Sequence, residues 1–237
     1  MEREMRRGFR AVRVAGVPDL PEGRPVMIFS NHPSWWDPAF FMVLMTRLFP
    51  GREGYGPIDA AMLERYRFMR RIGIFGVTQD GRRGAAEFLR TSERIVSDPR
   101  RMLWITAQGE FSDPRARPVA LRGGAAHLMR RAPGIVAVPL ALEYPFWTEK
   151  RPEALALFGP PLTVRGAEDA DALNARLGAS LEAAMDELAG LAQRRDAAAF
   201  RRVLSGRSGV GGVYDAWGRV HAGLTGRRHV AEHMEET

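Results

Sequence analysis

A histidine and an aspartate five positions apart, His32 and Asp37, lie in the stretch Ser30-Asn31-His32-Pro33-Ser34-Trp35-Trp36-Asp37-Pro38. An imidazole titrates near neutrality, so it can take a proton from an attacking hydroxyl and later return it to a leaving group. A carboxylate on its far ring nitrogen would fix the tautomer and stabilise the imidazolium formed on proton uptake. A tight turn over residues 33–36 would let Asp37 fold back to do this. The plainer reading has Asp37 capping a helix that begins at Pro38, while His32 fills a turn. The two readings are compatible, because a capping carboxylate has a second oxygen.

The elements around this stretch put it where chemistry is usually done. Val26-Met27-Ile28-Phe29 is an unbroken apolar run that predicts a buried strand over 25–30. Reactive groups in open α/β sheets gather beyond the carboxyl ends of strands, where Asn31 and His32 fall. A helix to about Phe49 is predicted after Asp37, and a second from an Asp59 cap through Arg71. Gly73 to Val77, Met102 to Thr106 and Ile135 to Leu142 read as strands, with shorter ones at Leu155 to Phe158 and Leu162 to Val164. Helical spacing covers residues 82–97 and a stretch ending near Arg131, and a polar loop spans 107–118. Residues 168–204 read as two Ala- and Leu-rich helices, and one more helix is predicted near 213–224.

This alternation predicts an α/β fold with a mainly parallel sheet flanked by helices. A single domain is expected over residues 1–237. Its catalytic part covers about 10–165, a helical C-terminal region 166–225, and a flexible tail 226–237.

Composition narrows the chemistry. Cysteine is absent, which removes disulfides, thiolate metal sites and a cysteine-linked acyl intermediate. The net charge of +7 is almost entirely arginine, since Lys150 is the single lysine. Guanidinium groups suit phosphate, as found on nucleic acid, anionic lipid or a phosphorylated substrate. The opening residues place Met1 and Met5 on one helical face and Arg3, Arg6 and Arg7 on another, the pattern of a helix resting on an anionic membrane. The apolar window Ala39 to Phe49 is too short to span a bilayer, and no secretory pattern is expected at the start. A cytoplasmic protein, peripheral on the inner face of the cell membrane, is the expectation. His229-Val230-Ala231-Glu232-His233 matches a zinc-site spacing, but on a charged tail it reads as solvated, and no metal is expected.

The block Asn31-His32-Pro33-Ser34-Trp35-Trp36-Asp37 resembles the NHxSxxD signature of the glycerophospholipid acyltransferases, the family of bacterial 1-acylglycerol-3-phosphate acyltransferases. Three further blocks follow in that family's order: Gly73 to Val77, Trp104 to Ser112 (WITAQGEFS), and Val138-Pro139-Leu140. The resemblance implies acyl transfer without an acyl-enzyme and without a cofactor. His32 would take the proton from an acceptor hydroxyl that attacks the thioester of acyl-CoA or acyl-carrier protein, with Asp37 holding His32. A glycerol-phosphate-acyltransferase-like fold, a lipid acceptor and a peripheral membrane contact are implied with it, and no nucleic acid partner. The absence of a GxSxG nucleophile motif agrees with this.

Asn31, Ser34, Gln108, Gly109 and Glu110 are then the supporting and substrate-binding candidates. The third block departs from the family's usual FPEGTRS. Glu110 is displaced by two positions, and Phe111 stands where an arginine would meet a phosphate. Arg82, Arg83 and Arg115, with Arg117 and Arg122, are the candidate replacements, and a lysophospholipid or another lipid alcohol is the expected acceptor. Trp35 and Trp36, with Phe40, Phe41, Met42 and Met45, are candidates to line an acyl groove, or else core. Two alternatives share the same residues: an Arg-rich protein that binds nucleic acid or anionic membrane without catalysis, and a thioester hydrolase using the His32–Asp37 pair on water.

Overall fold

The computed structural model describes residues 1–78 and 81–207. Its elements in chain order are α1 (Glu2–Gly8), β1 (Ala11–Ala15), β2 (Val26–Ser30), α2 (Asp37–Leu48), β3 (Glu53–Asp59), α3 (Ala60–Arg65), β4 (Ile74–Val77), α4 (Gly81–Val96), β5 (Arg101–Thr106), α5 (Gly124–Arg131), β6 (Val136–Glu143), β7 (Ala154–Phe158), α6 (Ala170–Arg194) and β8 (Arg201–Ser205). The strands form one sheet in the order β4-β3-β5-β2-β6-β7-β1-β8. Strands β4, β3, β5, β2 and β6 run parallel. β7 turns antiparallel to β6, β1 pairs parallel to β7, and β8 closes the edge antiparallel to β1. The α/β class, the mainly parallel sheet and the flanking helices all stand as expected.

Why β2 sits at the centre follows from its residues. Every side chain of Val26–Ser30 is buried, because the strand is covered on both faces. Successive side chains point to opposite faces. Met27 and Phe29 therefore join Leu103, Ile105 and Ala137 beneath α5 and α6, together with Leu128, Leu173 and Leu181. Val26 and Ile28 join Met102, Trp104 and Val138 on the other face, with Phe40, Val43 and Leu44 of α2 and Met5 of α1. This double covering fixes the strand's register against β5 and β6 and so holds its carboxyl end in place.

Several expectations need correction. Asp59 does cap α3, accepting from the amides of Ala61 and Met62, but that helix stops at Arg65 and a 3-10 turn covers Arg67–Ile72. Residues 53–59, with Gly54, Gly56 and Pro57, form strand β3, which the sequence did not suggest. Leu162 makes only an isolated bridge to Ala137. The C-terminal helical region is one long helix, α6, and Arg201–Ser205 is an edge strand rather than helix. The helix expected near 213–224, the tail and the His229–His233 spacing lie outside the described residues. Among those described, no helix is long and apolar enough to cross a membrane.

Candidate active site

Asn31 continues β2 by one residue and is fully buried. Its side-chain amide donates to the carbonyl of Leu142 at 3.0 Å, and its Oδ1 accepts from the Leu142 amide at 2.8 Å. A side chain thus supplies the rung that the backbone ladder between β2 and β6 no longer makes, and it sets the direction in which the chain leaves the sheet. Asn31→Ala would leave both Leu142 groups buried without partners. We expect a loss of about 2–4 kcal/mol in urea unfolding for that variant.

The next residue is held from the β5 side. The His32 amide donates to Gln108 Oε1 at 3.0 Å, and the His32 carbonyl accepts from the Ser112 amide at 3.0 Å. Gln108 and Gly109 therefore serve the site through the loop after β5. Gly109 turns with a φ of 74°. A Cβ there would stand 2.3 Å from Nε of Arg122, so glycine is needed both for the backbone and for the close approach of that guanidinium.

The imidazole of His32 meets Asp37 across the turn, with Nδ1 and Oδ2 2.6 Å apart. Asp37 is completely buried and is the first residue of α2. Its carboxylate does not cap the helix, as the plainer sequence reading held. The N-cap position belongs to Trp36, without a side-chain cap bond. The Asp37 oxygens are taken up otherwise: Oδ2 also accepts from the Ser34 amide at 3.3 Å, and Oδ1 accepts from the Tyr144 hydroxyl at 2.6 Å. The Ser34 hydroxyl accepts from the Trp36 amide at 3.2 Å, which tightens the turn. A carboxylate so close to Nδ1 places the ring proton there and leaves Nε2 with its lone pair.

Tyr144 was missed in the sequence. It lies just beyond β6, the strand beside β2, and so at the same end of the sheet. Burial and the Asp37 carboxylate push its hydroxyl well above the usual tyrosine range, so it stays a donor. Tyr144→Phe would remove a charge-assisted bond from a buried carboxylate. We expect about 1.5–3 kcal/mol of lost stability and a roughly tenfold fall in turnover, checked by thermal melting and steady-state rates.

The remaining candidates are distributed unevenly. Phe111 lies over the His32 ring with centroids 4.1 Å apart and planes at 28°. Trp36 is wedged beside Phe9, 5.1 Å between rings, and against Gly8. Phe40 and Met45 are core, Phe41 packs on Trp104, and Trp35 projects to solvent. Arg83 pairs with Glu87 at 3.2 Å, Arg115 with Asp113 at 2.7 Å, and Arg117 with Asp186 at 2.5 Å. Arg82 and Arg83 open α4 after β4, three strands from β2, about 14 Å along the sheet. Glu110 is exposed on the loop beside Phe111.

A base-competent imidazole, an orienting buried carboxylate and a loop from the adjacent strand thus converge at the carboxyl end of β2. The model of the acyltransferase family matches residues 11–143, more than half of the chain, including His32, Asp37 and the loop after β5. The chain belongs to the acyltransferase family. Among solved structures, this acyltransferase is similar to the 1-acyl-sn-glycerophosphate (LPA) acyltransferase PlsC from Thermotoga maritima. The two are 13% identical, with a TM-score of 0.56 over 76% of this chain and 72% of that one. At that identity the likeness concerns the fold. No curated protein matches the sequence.

Proposed function

We propose that this acyltransferase moves an acyl group from a thioester, acyl-CoA or acyl-carrier protein, to a hydroxyl of a lysophospholipid or another lipid alcohol. The observation that carries the proposal is the 2.6 Å contact between His32 Nδ1 and the buried Asp37 carboxylate, which leaves Nε2 as the free base.

The acceptor hydroxyl approaches Nε2 and attacks the thioester carbonyl carbon. A carbon–oxygen bond forms as the hydroxyl proton passes to Nε2. The tetrahedral species then breaks its carbon–sulfur bond, and the same proton returns to the departing sulfur. The products are an acyl ester and a free thiol. While the proton resides on His32, the imidazolium is held by Asp37 on one edge and lies over the ring face of Phe111, which favours a cation. Ser34 and Tyr144 keep the carboxylate in line, and Gln108 with Ser112 keeps the backbone of His32 from turning.

The test is an acceptor screen. Purified protein, a labelled acyl thioester and fractionated bacterial lipids are incubated together, and products are identified by mass. Appearance of a lipid heavier by one acyl group supports the reading. Release of free fatty acid alone would assign the His32–Asp37 pair to hydrolysis instead.

A further inference from the structure

We propose that the hydroxyl this site acylates is carried on an uncharged, polyhydroxylated headgroup, as on a glycosyl lipid or a monoacylglycerol, and not beside a phosphate. The inference rests on the lipid acyl-transfer reading and names its acceptor class. The surroundings of His32 carry it. Phe111 is fixed between two tethers, since Gln108 accepts from the His32 amide and the Ser112 amide donates to the His32 carbonyl. One face of its ring lies on the imidazole, with centroids 4.1 Å apart, yet 59% of the residue is exposed. A headgroup that brings its hydroxyl to His32 therefore lies against an aromatic ring. Trp35, 67% exposed in the turn between His32 and Asp37, adds a second open ring.

The charges at this rim disfavour an anion. The turn, the loop after β5 and the end of β6 hold four acidic residues, Asp37, Glu110, Asp113 and Glu143. Glu143 stands between Leu142, which binds the Asn31 side chain, and Tyr144, which binds Asp37. Among the described residues, the guanidiniums of this loop are already engaged. Arg115 makes two bonds to Asp113, at 2.9 and 2.7 Å, and its charge also reaches Glu143, whose carboxyl burial raises and Arg115 lowers. Arg117 is held by Asp186 and by the carbonyls of Pro114 and Ala116. Arg122, packed against Gly109, is not free either. In a chain of net charge +7, this rim carries more carboxylates than guanidiniums.

A phosphate close to the reacting hydroxyl would have to displace Asp113 from Arg115 and stand among the other acids, and like charges brought together oppose binding. An uncharged polyol meets the reverse. Its C–H faces pack on the open faces of Phe111 and Trp35, whose electron-rich surfaces attract partly positive hydrogens. Its neighbouring hydroxyls donate to the carboxyl oxygens of Glu110, exposed beside Phe111, and of Glu143.

The experiment measures acceptor preference with the full chain. Labelled palmitoyl-CoA and palmitoyl-carrier protein are each offered with dodecyl glucoside, lauroylglycerol or lauroylglycerol phosphate. For the better neutral acceptor, kcat/KM is expected to exceed that for the phosphate at least about tenfold. Phe111→Arg should shift this ratio about tenfold toward the phosphate, and Phe111→Leu should lower transfer to the neutral acceptor more than to the phosphate. Both variants should melt like wild type, because the position is exposed. Support that Phe111 gives the imidazolium acts on all acceptors alike and cancels in the ratio. Acylation of the glucoside names a glycosyl headgroup, and acylation of lauroylglycerol alone names a glycerol one; both support the proposal. A wild-type rate with the phosphate that equals or exceeds the neutral rates overturns it, as does a ratio unchanged in Phe111→Arg, while acyl transfer to lipid stands. Free fatty acid as the product with every acceptor removes the acyl-transfer reading, and this inference with it.

Discussion

His32→Ala is expected to lower the rate of acyl transfer about 10,000-fold, to the level of bound but unassisted substrates. That corresponds to about 5.5 kcal/mol of lost transition-state stabilisation. The effect should fall on turnover rather than on substrate affinity, because proton transfer is made only as the hydroxyl attacks. The backbone bonds that hold residue 32, to Gln108 and Ser112, do not involve the ring, so the loop should keep its course. His32→Asn serves as a second variant, since its amide can still donate to Asp37. A cooperative melt with turnover lost in both variants separates a catalytic role from a structural one. Full turnover in either would remove His32 from the mechanism.

The second large effect is expected for Asp37→Asn, about 1,000-fold in turnover, or about 4 kcal/mol. An asparagine carbonyl in place of Oδ1 can still accept from Tyr144, at 2.6 Å in the native site. The amide nitrogen then faces His32 Nδ1 and donates to it. That bond selects the tautomer with the proton on Nε2, which leaves no lone pair for the acceptor hydroxyl. Asp37→Glu should recover part of the rate, because the charge returns although the reach differs. Equal rates for the asparagine variant and wild type would show that the carboxylate does not set the tautomer.

Much of this site was legible because its parts are close in sequence and obey local rules. An apolar run ending at Ser30, a polar knot and a helix beginning at Asp37 are enough to place a histidine at a strand end with an aspartate within reach. The order of the four blocks then matched strands that turn out to share one end of the sheet.

What was not legible depends on distance in sequence or on tertiary override of propensity. Tyr144 reaches Asp37 across 107 positions, and only the pairing of β6 with β2 brings the two together. β3 contains two glycines and a proline, which argue against a strand, yet it is held between β5 and β4. Gly56 is small there for a reason: a Cβ would come within 2.9 Å of the Trp104 carbonyl. β8 follows an Ala-rich helix and carries Arg201 and Arg202, a charged pattern that suits an exposed sheet edge better than its helical neighbours suggest. The arginines marked for phosphate illustrate the converse. Arg83 and Arg115 meet carboxylates four and two positions away, so the nearest sequence neighbours answer their charge.

The most direct measurement of direct transfer is a rapid-quench single turnover with wild-type protein in excess over a labelled acyl thioester and the acceptor found by the lipid screen. Attack by a hydroxyl that His32 activates should carry label from thioester to lipid ester, with none on acid-precipitated protein at any time. Label that builds on the protein and then chases into lipid, or that ends only in free fatty acid, would contradict it.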